Sequence, residues 1–210
     1  MKKFAIGIPT LNRFDLLLPA LLFYKNDFPN TKIYILDNGK QGIKGYSGLG
    51  LNMEVIESDQ NLGVAKSWNT LCDLIFREND YALILNDDIY FGRKDWEIQS
   101  LLQNYKNDFY VTTQDWCAFI LPKKTYNTIG KFDEEIFPAY FEDNDYHYRM
   151  KLMGLSYMKI PFLNPFLYQA SKTIEKEPKL RDFIQKNREY YINKWGGEPN
   201  RERFKKPFNK

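Results

Sequence analysis

Apolar residues in the first half of the chain fall into short continuous runs, separated by stretches with helical periodicity. The continuous runs indicate strands that are buried on both faces, and they cover residues 4–8, 32–36, 53–56 and 81–85. The helical stretches cover residues 14–24, where Pro19 is expected to kink or interrupt the helix, and residues 64–77. This alternation predicts an α/β protein with a mostly parallel central sheet flanked by helices.

The second half of the chain has a more mixed pattern. It predicts one strand over residues 117–121 and helices over residues 96–105, 141–153 and 178–195. The pair Gly196-Gly197 should end the last helix, because glycine readily adopts the left-handed conformation that follows a helix C-terminus. No internal repeat or low-complexity linker divides the sequence, so we predict a single domain over residues 1–210.

The composition is typical of a globular protein, with 43% apolar and 27% charged residues. The aromatic fraction of 17% suits the binding of sugar faces or nucleobases, and it equally suits a packed core. The net charge of +3 is too small to indicate nucleic-acid binding, so no nucleic-acid partner is expected. Basic residues concentrate at 201–206, either as a solvated tail or as a patch for phosphate or membrane.

No stretch approaches the roughly 18 apolar residues that a bilayer span requires, so we expect no membrane span. The first residues also lack the pattern of a signal peptide. Cys72 and Cys117 provide neither a disulfide framework nor a metal-binding spacing, which fits a reducing compartment. Together these features lead us to expect a cytoplasmic protein.

Asn86, Asp87 and Asp88 directly follow the apolar run at 81–85. In open α/β sheets, ligands bind beyond the carboxyl ends of the strands. Two adjacent carboxylates there repel each other unless a cation or hydrogen-bond donors compensate. Mg²⁺ or Mn²⁺ favours such oxygen ligands and can link them to a diphosphate. The alternative is a strand-end turn in which the aspartates cap backbone amides.

Glu142 and Asp143 begin the predicted helix over residues 141–153. A carboxylate beside apolar and aromatic groups gains affinity for a proton, as a general base requires. Alternatively, both acids complement the helix dipole. Asp145 and Arg149 are spaced to form an i,i+4 ion pair. His147, the only histidine, is read as a metal ligand, a donor to an acceptor substrate, or a surface residue.

Several phosphate-binding and catalytic motifs are absent. The sequence contains no G-x-G-x-x-G and no G-x-x-x-x-G-K-[ST] for phosphate binding, and no G-x-S-x-G for a nucleophilic serine. Because any Ser-His or Cys-His pair would have to use the single histidine, the sequence disfavours a hydrolase with a serine or cysteine nucleophile.

In this order, the segments resemble glycosyltransferases of the GT-A fold, particularly the inverting family 2 type. The similarity covers residues 4 to about 154 and is carried by Asn61-x-Gly63, by Asn86-x-Asp88 in the place of the D-x-D metal motif, and by the E-D-x-D-x-x-x-R helix from Glu142 to Arg149. Further similar segments are residues 6–13, 36–39, 116–120, 130–134 and 194–197.

The resemblance implies a GT-A fold, a nucleotide-sugar donor with UDP favoured, and a hydroxyl of a glycan or glycoprotein as acceptor. It implies a Mn²⁺ or Mg²⁺ ion on Asp88, and Asp143 as the base beside Glu142. It places the nucleotide in the half formed by residues 1–90 and the acceptor in residues 91–210, which include the C-terminal helix. The residues implied in binding the donor are Thr10, Leu11, Arg13, Asp37, Asn38, Asn61, Gly63, Lys66, Asn69, Asn86, Asp87 and Trp116.

The sequence departs from the family pattern at Asn86, which replaces the first acid of D-x-D and leaves Asp87 or Asp88 for the metal. A sugar nucleotidyltransferase of the same fold is one alternative, although residues 10–13 do not form its Gly-rich basic loop. A non-catalytic, aromatic-rich sugar-binding module is another. The compact chain also resembles glycosyltransferases of large DNA viruses that act on capsid glycans, which implies the host cytoplasm.

Overall fold

The computed structural model describes residues 3–90, 92–104, 109–112, 115–160 and 178–210. The strands are β1 (Phe4–Thr10), β2 (Ile33–Asp37), β3 (Met53–Glu57), β4 (Tyr81–Leu85), β5 (Phe109–Thr112), β6 (Asp115–Pro122) and β7 (Tyr157–Ile160). The α-helices are α1 (Phe14–Asp27), α2 (Gly63–Ile75), α3 (Asp95–Asn104), α4 (Lys123–Ile129), α5 (Glu142–Leu152) and α6 (Asp182–Trp195). Short 3₁₀ helices are Ile43–Leu49, Pro178–Arg181 and Pro207–Asn209.

These strands form one sheet in the order β3-β2-β1-β4-β6-β5-β7. The first four in this order are parallel, β6 is antiparallel to both of its neighbours, and β7 is parallel to β5. The predicted α/β class and mostly parallel sheet are therefore confirmed. Parallel strands end at a common edge, so Thr10, Asp37 and the residues after Leu85 come close together there.

The core lies on both faces of this sheet, and α1 and α2 cover opposite faces. All five residues of β4 are buried, as its continuous apolar run predicts. Gly7 of β1 lies directly under α2, where an added Cβ would come within 2.8 Å of Ile84 Cδ1 and 3.2 Å of Leu71 Cβ. A residue without a side chain at position 7 therefore allows α2 to pack closely on the sheet.

Several elements differ from the sequence prediction. Helix α1 is continuous through Pro19, whose ring lies on the exposed face. The last helix begins at Asp182, after a 3₁₀ turn, and Gly196 ends it with φ 74° as predicted. The sequence prediction omitted β5, β7 and α4. Among the described residues, no helix is long and apolar enough to cross a bilayer.

A buried carboxylate joins α5 to α6. Asp145 is fully buried, and its Oδ1 accepts hydrogen bonds from Trp195 Nε1 at 2.8 Å and lies 2.6 Å from Lys194 Nζ. Its Oδ2 accepts a bond from Arg149 Nε at 2.8 Å, the i,i+4 pair that the sequence predicts. Lys194 also donates to Asp133 Oδ2 at 2.6 Å. These bonds hold the C-terminal helix against the helix that begins with Glu142.

Replacing Asp145 by Asn should lower the free energy of unfolding by about 3–5 kcal/mol, because it leaves the buried Lys194 charge and the partly buried Arg149 charge without their shared carboxylate. Urea denaturation at pH 7 measures this loss. The matched control is Asp59→Asn, since Asp59 pairs with Lys40 at a site where its side chain is 88% exposed, and it should cause no measurable change. Equal midpoints for the two variants would contradict a central role for Asp145.

Candidate active site

A cavity of about 360 Å³ lies at the edge where the parallel strands end. Its walls come from the ends of β1, β2 and β4, from the start of α2 and α5, and from the first part of β6. Of the residues predicted to form a site, those lining the cavity are Thr10, Leu11, Asn38, Asn61, Gly63, Asn86, Asp87, Asp88, Trp116, Glu142 and Asp143. The fold thus brings together segments that are widely separated in the sequence.

The acidic turn after β4 forms one wall of this cavity. Asp87 and Asp88 are both buried, at 6% and 8% exposure. Burial raises the pKa of Asp87 to about 7, and the neighbouring Asp88 charge adds to the shift. Hydrogen bonds from the Thr10 hydroxyl and the Leu11 N–H, together with the Arg13 charge, oppose this shift. The turn therefore carries concentrated negative potential that a cation would relieve.

The donor atoms of this turn fit Mg²⁺ or Mn²⁺. Among the described residues, no group of three or more His, Cys, Asp or Glu side chains is placed to hold a metal. A site of one or two carboxylates suits Mg²⁺, which commonly takes its other ligands from substrate phosphates and water. Asp87 accepts hydrogen bonds from Thr10 and Leu11, and the metal contact expected at Asp88 stays a prediction.

A second pair of acids faces the cavity from the first turn of α5. Glu142 is 6% exposed, and its carboxyl accepts hydrogen bonds from its own N–H and that of Tyr140. Burial, aided by the Asp143 charge, raises the pKa of Glu142 to about 8. Asp143 is half-buried, and its Oδ1 accepts a bond from Asn144 N–H at 2.7 Å. The proton affinity of Glu142 is thus raised, and the role of Asp143 as base stays a prediction.

An unusual backbone directs these acids into the cavity. Tyr140 and Phe141 have φ angles of 74° and 78°, a left-handed conformation that non-glycine residues rarely adopt. The segment before them packs against the start of α2, where Val64 N–H donates to Pro138 O at 2.7 Å. Gly63 permits this approach, because its φ is 75° and an added Cβ would lie 2.9 Å from Pro138 O.

The asparagines of the cavity wall stabilise the same region. Asn61 Oδ1 accepts a bond from Gly63 N–H at 2.9 Å. Asn38 Oδ1 accepts a bond from Leu62 N–H at 3.1 Å, and Asn38 Nδ2 donates to Ser67 Oγ at 3.0 Å. These bonds connect the end of β2 to the start of α2, so the Asn-x-Gly segment has a structural role besides any contact with a ligand.

Four predicted donor-binding residues do not line the cavity, and their roles remain predictions. Arg13 pairs with Asp15 at 3.0 Å and acts on Asp87 through its charge. Asp37 is fully buried, and its carboxylate accepts bonds from Gly39 N–H, Gln41 N–H and Gln41 Nε2.

The other two of these residues lie on α2. Lys66 is on the exposed face of the helix. Asn69 is buried and bonds both the N–H and the C=O of Phe132, at 2.8 and 2.9 Å. His147 is also outside the cavity, and its ring lies 4.9 Å from that of Tyr157.

Several lining residues were not predicted from the sequence. Trp68 falls on the apolar face of α2, a pattern that indicates core packing and carries no sign of a cavity. Leu180 precedes the C-terminal helix, and nothing in the local sequence indicates that it returns to the site. The remaining unpredicted lining residues are Pro9, Val64, Ser67, Cys117, Pro138, Ala139 and Tyr140.

Comparison with solved structures shows the fold. GalNAc-T7 with UDP, GalNAc and Mn²⁺ is similar at a TM-score of 0.67 and 10% identity, over 95% of this chain and 49% of that one, so this chain spans about half its length. The 4-diphosphocytidyl-2C-methyl-D-erythritol synthase from Anaerococcus prevotii DSM 20548 is similar at 0.56 and 9% identity, over 88% and 96%. Both share the mixed α/β fold of nucleotide-diphospho-sugar transferases.

Comparison of sequences identifies the family. A search of the curated proteins found no match. The model of glycosyl transferase family 2 matches residues 5–157, which is more than half of the chain and includes both acid pairs of the cavity. The chain therefore belongs to glycosyl transferase family 2.

Proposed function

We propose that this protein is a metal-dependent, inverting glycosyltransferase that moves a sugar from a nucleotide sugar to a hydroxyl of a glycan or glycoprotein. A UDP-sugar is the favoured donor. The observation that carries the proposal is that one cavity contains two acid pairs with different chemistry, Asp87-Asp88 after β4 and Glu142-Asp143 at the start of α5. One pair suits a cation and the leaving diphosphate, and the other suits the transfer of a proton.

The donor diphosphate would lie beside Asp88, with Asn38 and Asn61 bordering the nucleoside. A bound Mn²⁺ or Mg²⁺ would neutralise the charge that develops on the leaving diphosphate. The buried Asp37 carboxylate holds residues 39–41 in position, so a contact with the donor nucleotide would require one of its oxygens to accept a further hydrogen bond.

The acceptor hydroxyl would approach the anomeric carbon from the side of Asp143. Its oxygen forms the new bond to that carbon while the bond to the diphosphate oxygen breaks on the opposite face, so the configuration inverts. Asp143 takes the hydroxyl proton as general base. Burial raises the pKa of Glu142, which disfavours a second negative charge that would compete for that proton.

A nucleotidyltransferase is the second candidate, since the synthase from Anaerococcus prevotii shares the fold. That reaction joins a nucleotide to a sugar phosphate and releases pyrophosphate. It needs no base for an acceptor hydroxyl, which is the role that the Glu142-Asp143 pair suits. A screen of nucleotide sugars with Mn²⁺ separates the candidates, because a transferase releases nucleoside diphosphate and a nucleotidyltransferase consumes or forms pyrophosphate.

Replacing Asp88 by Asn should remove the metal dependence of nucleotide binding. We expect the native protein to bind UDP about ten-fold or more tightly with Mn²⁺ than with EDTA, a difference of about 1.4 kcal/mol or more. Isothermal titration of Asp88→Asn should give nearly equal Kd values in the two buffers. Asp80→Asn is the matched control, since Asp80 is exposed at the opposite edge of the sheet. Metal-independent UDP binding by the native protein would overturn the proposal.

Replacing Asp143 by Asn should reduce turnover of donor and acceptor by about 10² or more, the usual contribution of a general base. Binding of UDP with Mn²⁺ should persist, because the substituted side chain faces the acceptor side of the cavity. Product formation under single-turnover conditions, with Asp80→Asn as the control, measures the effect. Near-normal turnover would remove Asp143 from the role of base.

The raised pKa of Glu142 should make stability depend on pH. Its value rises from 4.5 in the unfolded chain to about 8 when folded, so the folded state binds more protons between these values. The contribution of this group to stability is therefore fully present below about pH 4.5 and declines as the pH rises towards 8. In urea unfolding from pH 5 to 8.5, Glu142→Gln should make this decline shallower, and the part due to the raised pKa of Asp87 should remain. Parallel pH profiles for the native and Gln proteins would contradict the assignment.

A further inference from the structure

Two buried polar atoms in the cavity wall have no hydrogen-bond partner among the described residues. They are Trp68 Nε1, a donor, and Glu142 Oε2. Both residues line the cavity. A buried polar atom without a partner destabilises the folded state, so native proteins rarely keep one without a reason. Two in one cavity indicate a ligand that offers both an acceptor and a donor.

An aromatic surface lies beside these atoms. The rings of Trp68 and Trp116 are nearly parallel, with centroids 6.4 Å apart and an interplanar angle of 23°. Both residues line the cavity, at 3% and 8% exposure. Together with Val64 and Pro138 they form an apolar part of its wall. This surface suits a small apolar group such as a methyl.

The reaction geometry restricts which part of the ligand meets these groups. In the proposed transfer, the anomeric carbon C1 lies between the diphosphate at Asp88 and the acceptor hydroxyl at Asp143. Glu142 is the chain neighbour of Asp143 and faces the same cavity. The substituent nearest to C1 is the one on C2, one bond away, whereas the C6 substituent lies beyond the ring oxygen and C5. The C2 substituent is therefore the nearest candidate partner for the unpaired atoms.

We propose that the transferred sugar is a 2-acetamido-2-deoxyhexose. The acetamido carbonyl accepts a hydrogen bond from Trp68 Nε1–H, and the methyl group packs on the Trp116 ring. The amide N–H donates to Glu142 Oε2, and this bond favours the ionised carboxylate over the neutral form that burial favours in the free protein. A C2 hydroxyl provides no methyl group, and it offers a single oxygen where the acetamido group offers a separate donor and acceptor. This inference rests on the proposed function, since it assumes a nucleotide sugar in the cavity, and it goes further by naming the sugar class.

The test compares donors that differ only at C2. Kd values are measured by isothermal titration with Mn²⁺ for UDP-N-acetylglucosamine against UDP-glucose and for UDP-N-acetylgalactosamine against UDP-galactose. In at least one pair, the acetamido sugar should bind about ten-fold or more tightly, because the hydroxyl analogue leaves buried polar groups unpaired. Donor hydrolysis should follow the same order.

Trp68→Phe removes the indole N–H and retains an aromatic ring. The Kd of the hydroxyl donor divided by that of the acetamido donor should fall to about three-fold or less, because roughly one buried hydrogen bond is lost. Trp96→Phe is the matched control, since Trp96 is 66% exposed on α3, and it should leave the ratio unchanged. Thermal unfolding of both variants reports whether each is folded. If Trp68→Phe does not fold, the comparison of donors on the native protein still tests the inference.

The outcomes separate this inference from the proposed function. Absence of Mn²⁺-dependent UDP binding overturns the proposed function and the inference together. UDP binding with equal Kd values in both donor pairs overturns the inference alone. A preference for the acetamido sugar that persists in folded Trp68→Phe overturns the assignment of Trp68.

Discussion

The carboxylate of Asp145 determines where the second half of the cavity wall lies. It is fully buried and joins three donors from two helices, so α5 cannot shift relative to α6 without leaving charge unpaired. Because Glu142 and Asp143 occupy the first turn of α5, their position depends on this anchor. The parallel strands position the other acid pair. The cavity thus forms between the edge of the sheet and α5, which the buried ion network attaches to α6.

The elements that the sequence predicted best have strong local signals. Strand β4 is a continuous apolar run, and all five of its residues are buried. Strands β5 and β7 span four residues each, too short for a clear pattern. Pro19 was expected to kink or interrupt α1, but its ring lies on the exposed face and the helix continues through it. The burial of Leu17 and Leu21 on the opposite face of α1 outweighs the low helix propensity of Pro19.

The acids of the cavity were predictable because charged residues beside apolar runs stand out. Trp68 was not, since an aromatic residue on the apolar face of a helix looks the same whether it meets the core or a cavity. Tyr140 was not predictable either, because its left-handed conformation depends on packing against α2 and not on its own identity. Asn69 is the opposite case. The resemblance implied that it binds the donor, and in the structure its side chain bonds the backbone of Phe132.

The reversal of strand direction between β4 and β6 has a consequence for how the protein can diversify. The N–H of Asn86 donates to Cys117 O at 2.9 Å, so the end of one strand and the start of the other are joined directly at the cavity. This bond holds the acidic turn next to the start of β6, whatever the length of chain that connects the two strands. Insertions between β4 and β6 can therefore change the surface around the cavity, while the acidic turn stays joined to the start of β6.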